Sequence, residues 1–148
     1  MSWNTIRPQI ATLLDAIPEI QEVSSTPKLK FAGYPACYVM PSANEADYET
    51  NRENVRTYAF IVRVFYETKQ TGIASALDKL EGVVDTIIDT LDEEDLKGAT
   101  SRTIGVNLPS GYTYLNIFAH PSFWGELPGE DLIMAEINVK IRVSVDIS

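Results

Sequence analysis

A chain of 148 residues with 45% apolar and 22% charged residues has the makeup of one globular domain, residues 1–148, long enough to bury a core. No run of eighteen apolar residues occurs, which excludes a membrane-spanning helix; the single Cys37 excludes an internal disulfide and a thiolate metal cluster. Net charge is −9 and uneven: residues 1–69 hold eight carboxylates against seven Lys or Arg, residues 70–148 thirteen against five. A surface this acidic repels phosphate, so tight nucleic-acid binding is not expected. The N-terminus lacks the basic start and continuous apolar block of a secretory signal.

Trp3, Ile6, Ile10, Leu13, Leu14 and Ile17 recur at helical spacing and predict a first amphipathic helix. Pro8 has no amide hydrogen and suits a first turn only, with Asn4 or Thr5 as cap; Pro18 stops the helix. Ile20 to Val23 is too short to assign, and Ser24 to Lys30 reads as loop. Pro35 to Pro41 is bracketed by prolines, as befits a short strand at a sheet edge. Ser42 to Asn54 is polar and acidic, either a hairpin arm or a loop.

Val55 to Glu67 alternates, with Tyr58, Phe60, Val62, Val64 and Tyr66 on one face. The other face holds Ala59, Ile61 and Phe65, so the strand is expected centrally or under a second layer. Thr71 to Leu91 is a helix whose Ile73, Leu77, Leu80, Val84, Ile87 and Leu91 predict the buried stripe. Asp78, Glu81, Asp85 and Asp89 line a different side. The run Asp92-Glu93-Glu94-Asp95 opposes the macrodipole and reads as a solvated helix end. In the Gly- and Pro-interrupted stretch from Ala99 to Gly129, Tyr112 to Phe118 suggests a strand and His120 to Gly125 an aromatic turn.

The last segment has the clearest pattern. Every odd position from Ile133 to Ile147 is apolar, and every even position from Glu136 to Asp146 is polar. Such alternation is a strand with one dry and one wet face. Fully extended it reaches roughly 50 Å, against a domain diameter of about 40 Å. It must bend, bulge or project, which hints at assembly. The fold class is α+β: an antiparallel or mixed sheet of about four to five strands with two main helices packed on one face.

Candidate chemistry is sparse. His120, the one histidine, sits beside a proline and aromatics and reads as a packing residue rather than a catalytic base. Cys37 lies in an apolar strand and reads as a buried small hydrophobe. No phosphate-binding glycine spacing is present, and the acidic run lacks the spaced ligands of a calcium loop. No catalytic residue, metal site or cofactor is implied. Phe118, Phe123 and Trp124 fit either a core plug or interface anchors.

The order of these segments resembles the tail terminator proteins of long-tailed bacteriophages. The likeness rests on the first helix ending at Ile17-Pro18, the strand Pro35 to Val39, the strand Arg56 to Tyr66, the helix Ile73 to Leu91 and the strand Ala135 to Ile141. The resemblance implies a non-enzymatic virion protein assembled in the host cytoplasm. Its subunits would form a homo-oligomeric ring, six-membered in that family, that caps the tail tube protein and docks the head–tail connector protein. DNA would pass through the ring without specific binding. Another neck ring or stopper is the nearest alternative, and a small cytosolic enzyme or ligand-binding domain a more distant one. Val143, Val145, Ile147, Phe123 and Trp124 are the expected subunit-interface residues. Glu45, Asp47 and Glu49 are expected to line the lumen in preference to the helix carboxylates.

Overall fold

The structure, a computed structural model, describes residues 2–28, 30–42, 48–49, 55–69, 72–98, 101–127 and 129–145. The elements in chain order are α1 (Ser2–Asp15), β1 (Glu22–Ser24), β2 (Ala36–Pro41), β3 (Tyr48–Glu49), β4 (Val55–Glu67), α2 (Gly72–Leu96), β5 (Tyr112–Leu127) and β6 (Leu132–Val145). Among the described residues the strands form one mixed sheet ordered β1-β2-β4-β6-β5, with the two-residue β3 added beside β4. β1 runs parallel to β2, and the other pairings are antiparallel. The fold is α+β, as the sequence predicts.

One face of the sheet carries the core. Cys37 and Val39 of β2, Phe60, Val62 and Val64 of β4, and the odd positions Ile133 to Val143 of β6 lie there with both helices. From α1 come Ile6, Ile10 and Leu14; from α2 come Leu80, Val84, Ile87 and Leu91. The period-two stripe of β6 and the 3.6-period stripes of the helices thus meet along one apolar seam. On the opposite face a smaller cluster of Tyr38, Phe65 and Leu132 is covered by Phe31, Tyr34, Met40, Leu127 and Met134. β4 is therefore dry over much of both faces, which matches its central place.

Four expectations need correction. α1 starts at Ser2, so Pro8 lies inside it rather than in its first turn. The extra turn is held by Trp3, whose ring meets Tyr58 and Phe60 edge-on at 4.9 and 5.2 Å. α2 continues through the acidic run to Leu96, and at its other end Ile73 and Leu77 are 52% and 39% exposed rather than buried. The aromatic turn at His120 to Gly125 is not a turn but part of the sixteen-residue β5. The last strand has no bare edge: β6 pairs with β4 on one side and β5 on the other along its length. Val143 and Val145 are accordingly buried within this chain, not held open for a neighbour.

The buried stripe of α2 makes a direct prediction. Leu80 is fully buried, so Leu80→Ala should cost roughly 2–5 kcal/mol in a urea titration. Asp85→Ala on the exposed side should change stability by less than about 0.5 kcal/mol, and Leu77→Ala should fall between. Equal losses at positions 80 and 85 would mean that the helix is rotated.

Candidate assembly surface

β5 is the long outer strand of the sheet, and among the described residues it pairs only with β6. Two irregularities interrupt its register, between Tyr114 and Asn116 and between Pro121 and Phe123. Pro121 has no N–H to give a ladder, so an edge position tolerates it. The second irregularity decides where the aromatics point. Phe118 lies opposite Lys140 on the sheet face away from the helices, and Phe123 lies opposite Glu136 on that same face. An unbroken strand would put residues five apart on opposite faces; the extra residue cancels one alternation and sends Trp124 to the helix side opposite Ala135. Aromatics thus flank the edge on both faces, with Phe118 53%, Phe123 47% and Trp124 40% exposed.

Behind Trp124 is a cavity of about 210 Å³ lined by Ile73, Leu77 and Leu80 of α2, Gly125 and Glu126 of β5, and Ile133 and Met134 of β6. Ile73 and Leu77, on the first two turns of α2, border this cavity and stay exposed. Gly125 gives Phe123 its place: a Cβ on Gly125 would lie 2.7 Å from Phe123 Cζ, so the ring occupies the space a side chain would take. A neighbouring recess of about 160 Å³ is lined by Thr68, Ile73, Glu126, Leu127, Gly129, Asp131 and Leu132. The surface is therefore apolar at its centre, with carboxylates at its margin.

The other end of β5 is fixed to α2 by the carboxylates of the acidic run. Glu94 is fully buried, and its Oε1 accepts the N–H groups of Thr103 and of Ile104, the latter at 2.7 Å. Its other oxygen lies 3.4 Å from Lys97 Nζ. Asp95 Oδ1 accepts the Ile117 N–H at 2.9 Å and the Tyr114 hydroxyl. Burial, then the hydrogen bond to Asp95, push the Tyr114 phenol well above its ordinary range, so it stays a donor. Gln9 clamps α1 to the same loop, accepting from Gly105 N at 2.8 Å and donating to Val106 O at 2.7 Å. Gly105 is required there: its φ is 75°, and a Cβ would meet the Tyr114 ring at 2.6 Å.

Of the residues singled out from the sequence, the fold brings Phe123 and Trp124 together on this exposed edge and withdraws Val143 and Val145 into the core. Ile147, Glu45 and Asp47 lie outside the described residues. Glu49, in β3, pairs through its backbone with Val55 of β4. His120 is exposed on β5 opposite Asn138. Cys37 is fully buried, and burial followed by the charge of Asp15 raises its thiol to about 12. It is therefore protonated at neutral pH and shielded from reagents. Among the described residues no three His, Cys, Asp or Glu side chains are grouped to hold a metal ion, and no helix is long and apolar enough to cross a membrane.

Sequence reasoning missed Glu94 and Asp95. Glu94→Ala would leave two loop amides without their acceptor and should cost roughly 1–3 kcal/mol. Glu93→Ala, one residue away on the exposed side, should cost less than about 0.5 kcal/mol. Chemical denaturation of the two variants checks this, and equal stability would remove the latch.

No protein-family model matches the sequence, and no curated protein matches it. Solved structures do share its fold. One chain, from the structure titled "Virion of native gene transfer agent (GTA) particle", superposes with a TM-score of 0.53 at 14% identity. The match covers 91% of this chain and 84% of that one. At that identity the likeness is one of fold.

Proposed function

We propose that the chain is a structural virion protein, a ring subunit at the head-proximal end of a bacteriophage tail. Its ring caps the tail tube, ends tube growth and offers a docking face to the head–tail connector. The observation that carries this reading is the fold shared, over nearly the full length of both chains, with a chain of a virion particle. The exposed aromatic edge at Phe118, Phe123 and Trp124 supports it, because aromatics clustered at a surface are the usual anchors of protein contacts. The acidic excess suits a ring around moving DNA, since phosphate finds little to grip. The segment holding Glu45, Asp47 and Glu49 is assigned to the passage, with Asp78, Glu81, Asp85 and Asp89 on the outer side of α2.

Negative-stain imaging of the chain mixed with the tail tube protein of its own virion tests the assignment. Rings seated on one end of tubes, with tube growth stopped, are the expected result. Rings that bind the connector and leave tubes uncapped would identify a neck ring or stopper instead. Duplex DNA binding at physiological salt should be absent. Binding that falls steeply with added salt would contradict passive passage.

A further inference from the structure

We infer that the β5 edge of one subunit receives the β1 edge of a second copy, head to tail, so that the sheet continues from subunit to subunit. This deepens the ring reading and rests on it for closure. The two edges sit at the same level of the sheet. Val23 of β1 pairs with Cys37, Cys37 with Val64, Val64 with Ala135, and Ala135 with Trp124. The adjacent row runs from Ser24 through Tyr38, Arg63 and Glu136 to Phe123. It is tied by Arg63, which donates to Tyr38 Oη and Glu136 Oε1, each at 2.7 Å. Surfaces at one height are what a head-to-tail contact needs to close into a ring rather than climb into a helix.

Strand direction agrees. β1 is parallel to β2, and three antiparallel pairings then lead to β5, so β1 and β5 run in opposite senses. A copy rotated about an axis along the strands keeps its sense, so its β1 lies antiparallel beside β5. The chain places its cations and carboxylates to match. Strand order converts the sequence asymmetry into a spatial one: α2, β5 and β6 come from the half with thirteen carboxylates against five cations, while β1, β2 and β4 come from the near-neutral half. Glu126 lies three residues past Phe123 on β5, and Glu130 and Asp131 lie in the turn that follows the strand. At the β1 end the charge of Glu22 is matched by Lys28, and Glu22 also accepts the Ala32 N–H at 2.7 Å; the exposed Lys30 lies in the loop between Lys28 and Ala32 and adds a cation on this side of the sheet. Two β5 edges paired about Phe123 would instead set Glu126 opposite His120 and leave the Lys30 side of the sheet unused.

Cross-linking distinguishes these arrangements. Ser24→Cys and Phe123→Cys chains, prepared separately, are mixed, concentrated and oxidised, with sedimentation velocity reporting self-association. Opposite residues of an antiparallel pair have Cα atoms about 4.5–5.5 Å apart, within disulfide range. The expected product is a covalent dimer of one Ser24→Cys and one Phe123→Cys chain, with neither variant linking to itself. In the same assay Lys30→Glu should weaken association roughly tenfold, with affinity regained when the partner copy carries Glu126→Lys. A Phe123→Cys chain that links to itself would overturn the inference in favour of a two-fold dimer. Oligomers that form without the mixed link would overturn it too but leave the ring reading standing. A chain that never self-associates, either alone or on tail tubes, would contradict both.

Discussion

The pairing of β6 with β4 on one side and β5 on the other is the constraint from which the rest of the molecule follows. Because β6 is enclosed, its backbone groups are satisfied within the subunit and its odd side chains form a dry stripe. α2 must then lay its own apolar stripe over that face, and α1 fills the remaining width over β2 and β4. The polar even positions of β6 are left on the far face, where Glu136 meets Arg63. Enclosing β6 also exports the edge problem. The open strand becomes β5, and its Pro121, irregular register and exposed aromatics are intelligible in that position.

Much of this was legible from local pattern. The alternation of β6 and β4 and the stripe of α2 through Leu80, Val84, Ile87 and Leu91 depend on spacing alone, and the fold honours them. What failed depended on partners distant in sequence. Glu93 and Glu94 are the same residue type in the same run, yet only Glu94 meets the amides of Thr103 and Ile104. Their environments are set by where the next loop crosses the helix end. Pro121 and Gly125 signal a turn in any local reading; they are tolerated in a strand because one side of it has no ladder to satisfy.

The candidate surface shows the same division. Phe123 and Trp124 stand out by residue type, but which face each takes depends on the extra residue before them in β5, which puts Phe123 on the same face as Phe118 and Trp124 on the helix side. Ile73 and Leu77 looked like core because the apolar stripe of α2 runs without a break to its start. Only the geometry reveals that these two side chains border an open cavity beside Trp124 instead. Conversely, the alternation alone does not tell whether Val143 and Val145 are covered from within the chain or by a neighbour; the enclosure of β6 between β4 and β5 buries them within it.

On the proposed arrangement, assembly uses the open edge of β5 while β6 is satisfied wholly within the chain. Hydrogen exchange measured on the dispersed and the assembled protein tests it most directly, since an amide gains protection where a new hydrogen bond forms. Outward-facing amides of β5 near Phe123 and Trp124, and those of β1, should slow on assembly, while β6 amides, protected already, should not change. Protection gained along β6, or along the acidic side of α2 with β5 unaltered, would contradict the account.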